Sequence, residues 1–121
     1  TLPGPVEGMP ELVAELDAAG VPLFAITNFS HEFWPPFVAR EAALFAPFRD
    51  IVVSGEEKLV KPDPAIFRLA LARFGLREHE ALFVDDSYPN VIGARTVGMH
   101  AHHFVDAETL RAELNGYGLL G

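Results

Sequence analysis

The chain contains no cysteine, which excludes disulfides and thiolate metal sites and leaves the compartment open, with the cytoplasm favoured. Positive charge is scarce: 9 Lys and Arg stand against 17 Asp and Glu, a formal net charge of −8. A nucleic-acid partner wants a basic face, so that class is set aside. No apolar run approaches the ~20 residues that span a bilayer, and no signal-peptide pattern is visible, so no membrane partner is expected. No Gly-x-Gly-x-x-Gly follows any apolar run, which argues against a dinucleotide-binding domain. What the chain does have is apolar mass. Half of its 121 residues are hydrophobic and 10 are Phe, enough for one globular domain with a sizeable core.

The most informative stretch is Ala81–Asn90, ALFVDDSYPN. Leu82–Val84 is continuously apolar rather than alternating, as in a strand buried on both faces. It runs straight into Asp85 and Asp86, at the strand end where open α/β sheets bind ligands. Two adjacent carboxylates repel, and burying them unpaired costs several kcal/mol in rough terms. Mg²⁺ would relieve that conflict using one or two carboxylates, with water and a substrate phosphate completing its shell. The competing explanation is that the pair simply caps the next helix.

The remaining elements follow in order. Thr1–Pro5 (TLPGP) reads as a linker, and Thr1 in place of Met reads as an internal start. A helix is predicted from about Pro10 to Ala19, with Leu12, Val13 and Leu16 buried and Gly20 ending it. Val21–Ile26 reads as a strand that delivers Thr27 and Asn28. A hydroxyl there can bind an anion together with backbone N–H groups, or can serve as an ordinary helix cap. His31–Ala46 reads as a helix with a broken start at Pro35-Pro36, with Phe33, Trp34, Phe37, Leu44 and Phe45 in the core. Asp50–Ser54 is a third strand, closed by a Ser-Gly turn.

Asp63 and Pro64 are suited to the N-cap and first position of a helix whose apolar face is Ile66, Phe67, Ala70, Leu71 and Phe74. Lys61 lies just before that helix N-terminus, the wrong end for dipole stabilisation. It is either a solvated surface group or a counter-charge to a carboxylate cluster. Asn90–Val97 is a further helix and His100–Phe104 a last strand. Alternation puts His100 and His102 on one strand face and His103 on the other, which favours satisfied or exposed histidines over a metal site. Asp106 caps a closing helix, Ala107–Leu114, and the last residues are expected to fray. Alternating strands and helices mean an α/β fold, with one parallel sheet between helical layers.

In such a sheet Thr27-Asn28, Lys61 and Asp85-Asp86 share one edge, and together they outline a phosphoryl-transfer site. Ile26-Thr27-Asn28, Lys61-Pro62-Asp63-Pro64 and Val84-Asp85-Asp86-Ser87 resemble, in order and spacing, the second, third and fourth motifs of the haloacid dehalogenase (HAD) superfamily. The similarity runs from about Gly4 to Phe104 and includes Gly93-Ala94 and Gly98-Met99. The resemblance implies a three-layer α/β/α Rossmann-like core. It also implies that Thr27 and the Asn28 amide hold phosphoryl oxygens, that Lys61 stabilises transition-state charge, and that Asp86 is the main Mg²⁺ ligand, supported by Asp85 and Asn90. The acidic pair favours the Mg²⁺-dependent phosphatase branch, acting on small organic phosphate monoesters through an aspartyl-phosphate, over the metal-free 2-haloacid dehalogenases.

One departure is important. The family's first motif, an Asp-x-Asp pair on an N-terminal strand that bears the nucleophile, has no match upstream of Val21. Glu7, Glu11, Glu15 and Asp17 belong to a linker and a helix. The chain is therefore expected to be the C-terminal part of an enzyme, without nucleophile, central strand or cap, and inactive alone. A non-catalytic binding or regulatory domain that has lost its nucleophile is the alternative. The strands ending at Thr27 and Asp85 should flank the missing one. That slot is expected to be filled by a second chain or a retained N-terminal segment, or closed by direct pairing of the two strands.

Overall fold

The computed structural model describes residues 7–120, so the Thr1–Pro5 stretch lies outside the described residues. The first helix, α1 (Met9–Ala18), starts at Gly8 in a left-handed conformation. Strand β1 (Phe24–Thr27) begins three residues later than expected. Pro22 has no N–H to donate to a ladder, so only Leu23 O extends the pairing, accepting from Arg49 N at 2.8 Å.

The aromatic segment differs most from expectation. The one helix expected here is two short ones, α2 (Trp34–Arg40), which starts at the prolines, and α3 (Ala42–Phe45), with an additional break at Glu41. Pro35 lies in the first turn of α2, where its missing N–H is harmless. Trp34 is buried and packs edge-on against Phe29 and Phe45 and at a tilt against Phe37, whereas Phe33 and Leu44 point outward, 64% and 42% exposed. Strand β2 (Asp50–Val53) leads into a single helical turn, α4 (Ser54–Glu57), in place of a simple turn.

The second half follows the sequence closely. Helix α5 (Pro64–Phe74) has Asp63 as N-cap, accepting from Ala65 N at 2.9 Å, and Gly75 in the left-handed region at its end. After a 3₁₀ turn at Glu78–Glu80 come β3 (Leu82–Asp85), α6 (Tyr88–Thr96) and β4 (His100–His103). The closing helix α7 (Ala107–Gly116) is capped by Asp106, which accepts from Thr109 N at 2.7 Å. It runs two residues beyond the expected end. Leu119 and Leu120 beyond it pack against core residues, so the chain does not fray there.

The single sheet expected from the alternation is two sheets. β1 pairs with β2 and β3 with β4, each in parallel, with registers running from Phe24↔Asp50 to Thr27↔Val53 and from Leu82↔His100 to Asp85↔His103. The expectation that β1 and β3 would each have a strand on both sides is not met among the described residues, and the two do not pair directly. Between them runs a cleft of about 460 Å³, lined by residues of both strands but by none of β2 or β4.

Two helical layers enclose this arrangement. The larger core joins Ile66, Phe67, Ala70 and Leu71 of α5 to Val91 and Ala94 of α6, and reaches Val52, Phe83 and Ala101 in three strands. The opposite layer is Leu12 and Leu16 of α1 with Leu110 and Leu114 of α7. Phe83 faces the first layer, while Leu82 and Val84 face the second. That is why the β3 run is apolar without alternation.

Candidate functional site

The site is assembled by one loop, Leu59–Asp63, laid across the C-terminal ends of both sheets. At the end of β1, the Asn28 side chain bonds the Lys61 backbone in both directions. Its Oδ1 accepts from Lys61 N at 3.0 Å, and its Nδ2 donates to Lys61 O at 3.3 Å. The sequence reading missed this bond, because an amide that faces a loop 33 residues away leaves no local signal. Ser54 holds the same strand end from the other side, its Oγ accepting from Phe29 N at 3.0 Å. Gly55 lies so close that a Cβ there would stand 2.3 Å from His31 N. Thr27 does not cap a helix, since α2 has no side-chain cap at all.

On the other side, Lys61 reaches the end of β3. Its Nζ lies 3.1 Å from Asp85 Oδ2, with the two side chains only 12% and 10% exposed. Of the two explanations for this lysine, the counter-charge is the observed one. The Asp85 carboxylate also accepts from Ser87 N at 2.8 Å and Asn90 Nδ2 at 3.1 Å. Burial pushes the Asp85 carboxyl toward a higher pKa, but the Ser87 N–H, the Lys61 charge and the Asn90 amide outweigh it and hold it below the ordinary carboxylate range.

Asp86 differs. It is exposed, and its carboxylate has no hydrogen-bond or ion-pair partner among the described residues. Neither aspartate caps α6, whose N-cap Ser87 forms no side-chain cap bond. Asn90 is one turn into α6, and its amide goes to Asp85.

Helix α6 approaches the loop closely at Gly93. A Cβ there would meet Pro62 O at 2.6 Å and the Phe67 ring at 2.8 Å, so any larger residue would push the Lys61 loop away from Asp85. Thus Asn28, Lys61, Asp85 and Asn90 form one bonded chain, with Thr27 and Asp86 at its two ends. Among the described residues no group of three His, Asp or Glu side chains could hold a metal by itself. Mg²⁺ does not require one, since it is commonly held by one or two carboxylates with water and phosphate oxygens. The donor set, one free carboxylate beside one engaged carboxylate, fits that demand.

Of the three histidines, His100 packs edge-on against Tyr117, and His102 is buried with its Nε2 unpartnered and Nδ1 3.8 Å from Glu113. The expected satisfied or exposed state therefore fails for His102. No helix among the described residues is long and apolar enough to cross a membrane.

Similarities to known proteins identify the family. The family model of haloacid dehalogenase-like hydrolases matches residues 3–98. A phosphoglycolate phosphatase of Pectobacterium atrosepticum is 35% identical over 95 residues, covering 74% of this chain and 40% of that protein. A phosphoserine phosphatase of Thermus thermophilus is 37% identical over 94 residues, covering 74% of this chain and 36% of that protein. The chain thus spans well under half the length of these curated relatives. A crystal structure of an uncharacterized protein from Corynebacterium glutamicum superposes with a TM-score of 0.78 at 26% identity, covering 97% of this chain and 88% of that one. The chain belongs to the haloacid dehalogenase-like hydrolase family.

Proposed function

We propose that the protein is a Mg²⁺-dependent phosphatase of small organic phosphate monoesters, working in the cytoplasm through an aspartyl-phosphate whose aspartate is supplied from outside these 121 residues. The observation that carries the reading is the Lys61–Asp85 pair, 3.1 Å apart, beside an unpartnered Asp86 at the ends of parallel strands. Asp85 accepts one N–H of the Lys61 ammonium and so aims the side chain. The other two N–H groups are left for phosphoryl oxygens, where the charge stabilises the transition state. The Thr27 hydroxyl, free of hydrogen bonds among the described residues, donates to the same group together with backbone N–H groups of the Asn28 turn. Asp86 would hold Mg²⁺, with Asp85 and Asn90 behind it. When bound, the ion neutralises phosphate charge and orients the substrate.

The cleft suggests how the nucleophile arrives. Its walls are the facing edges of β1 and β3 and the two apolar helical layers, and Lys61 and Asp85 line it too. Unpaired strand edges take a parallel strand, and apolar layers on both sides take one with both faces apolar. A retained N-terminal segment or a second chain of that kind would complete the sheet and bring its last residues to Lys61.

Hydrolysis of p-nitrophenyl phosphate tests the proposal. The intact protein that carries these residues should turn over with Mg²⁺, and residues 1–121 alone should not. Asp86→Asn should abolish turnover in the intact protein, Asp85→Asn should weaken it less, and Lys61→Met should lower kcat by about 10²–10³-fold. Mg²⁺-independent release of halide from a 2-haloacid would support the dehalogenase alternative. Turnover by residues 1–121 that vanishes in Asp86→Asn would overturn the external nucleophile.

A further inference from the structure

His103 ends β4 in register with Asp85. One step beyond the ladder, Phe104 N still donates to Asp85 O at 2.7 Å. At the next carbonyl the backbone pairing stops and a side chain takes over: His103 Nε2 lies 3.0 Å from Asp86 O. A carbonyl oxygen only accepts, so Nε2 bears the hydrogen. The ring of Tyr88, the first residue of α6, packs on the imidazole at a centroid distance of 5.4 Å. It sits beside the bond and limits the ring's freedom.

From this geometry we infer that His103 is a positioning residue for Asp86, setting the direction of its carboxylate through the Asp86 backbone carbonyl. This rests on the proposed role of Asp86 as metal ligand. The Asp85-Asp86-Ser87 turn is pinned at three points. Asp85 Oδ1 takes Ser87 N, Asp85 O takes Phe104 N, and Asp86 O takes His103 Nε2. The second holds the turn on the Asp85 side. The first and third both act on the peptide that follows Asp86, one at its Ser87 N–H and the other at its Asp86 carbonyl, and the orientation of that peptide fixes Asp86 ψ. Without His103 that peptide is held at its N–H end alone, so its carbonyl gains freedom to tilt and the exposed carboxylate loses its aim. A group that orients a metal ligand from behind commonly changes metal affinity by roughly tenfold or more.

The test compares His103→Phe, which retains a ring against Tyr88 but has no donor, with His103→Gln, whose amide can reach the same carbonyl. In the full-length protein, His103→Phe should raise the Mg²⁺ concentration for half-maximal p-nitrophenyl phosphate hydrolysis by roughly tenfold. KM for the substrate at saturating Mg²⁺ should stay put. His103→Gln should recover most of the Mg²⁺ affinity. Independently of any activity, amide hydrogen exchange in metal-free protein should accelerate at Ser87 and its neighbours in His103→Phe and not in His103→Gln. Unchanged exchange and unchanged Mg²⁺ dependence in His103→Phe would overturn the inference. A protein with no phosphatase activity but with the expected exchange pattern would overturn only the proposed function.

Discussion

The two helical layers do different work. The α5–α6 layer carries ten buried core residues drawn from both helices, three strands and the turn before β4. Lys61 lies in the loop that enters α5, and Asp85-Asp86 lead through Ser87 into α6, so shifts of these helices move site residues. The α1–α7 layer has four buried leucines, an exposed Glu15–Arg111 ion pair, and no group of the candidate site. Its apolar face is instead a wall of the cleft between the sheets. The lesson is that one layer anchors the candidate site, while the other walls the cleft between the sheets.

Large-to-small substitutions should separate the two layers most sharply. Phe67 is fully buried and packs edge-on against Phe83. Phe67→Ala should cost about 3–5 kcal/mol in urea unfolding. It should also loosen the Lys61–Asp85 pair, since Phe67 lies under the α6–loop contact at Gly93. Leu12 is as completely buried, but it sits in a thin layer beside a cleft that can relax around the loss. Leu12→Ala should cost about 2 kcal/mol, at the low end for such a change. Equal losses in the two variants would remove the distinction.

A smaller effect probes the site within the first layer. At pH 7, Asp85→Asn leaves the poorly exposed Lys61 ammonium without its counter-charge, and should cost about 2 kcal/mol. The pH dependence carries a sign. The Asp85 carboxyl is held below its ordinary value of 3.8 in the folded chain. Its stabilisation is therefore complete above that value and is lost as pH falls through the lower folded pKa. Thermal midpoints taken from pH 7 down to pH 2.5 should show a steeper acid loss in the unmodified protein than in Asp85→Asn. Parallel curves would mean the carboxylate is not held by Lys61 in solution.

The smallest effect belongs to the second layer. Glu15 and Arg111 join α1 to α7 on the surface, and their mutual hydrogen bonds lower the pKa of Glu15 and raise that of Arg111. Both are exposed to water, where pairing is screened and contributes little. Arg111→Ala should leave the thermal midpoint within experimental scatter. A clear drop would show that the ion pair, and not the four leucines, holds the α1–α7 layer together.

Much of this was legible in the residues, and unevenly so. From Asp63 onward, caps, glycines and apolar spacing agree with one another. Asp63 and Asp106 both accept the N–H bonds their positions implied, and Gly75 ends α5 in the left-handed region. Between His31 and Ala46 the signals conflicted. The prolines marked a broken start but nothing marked a second break, and sequence spacing alone could not say which side of Phe33 would meet Trp34 and Phe37. The break came at Glu41, and Phe33 turned outward.

Local chemistry in the sequence determined which residues could form a site: the hydroxyl and amide after one apolar run, the lysine before a capped helix, the paired aspartates after another. It also determined that the strands are parallel, because they alternate with helices, and that β3 is apolar on both faces. Only the tertiary structure decided how those groups are used. It gave the Asn28 side chain to the Lys61 backbone, set Lys61 on Asp85 and left Asp86 unpartnered, and brought His103 behind Asp86. It also divided the strands into two sheets across a cleft. These are contacts between residues far apart in the chain. Their partners are chosen by packing and by the demand that buried polar groups be satisfied, and neither is written in any local pattern.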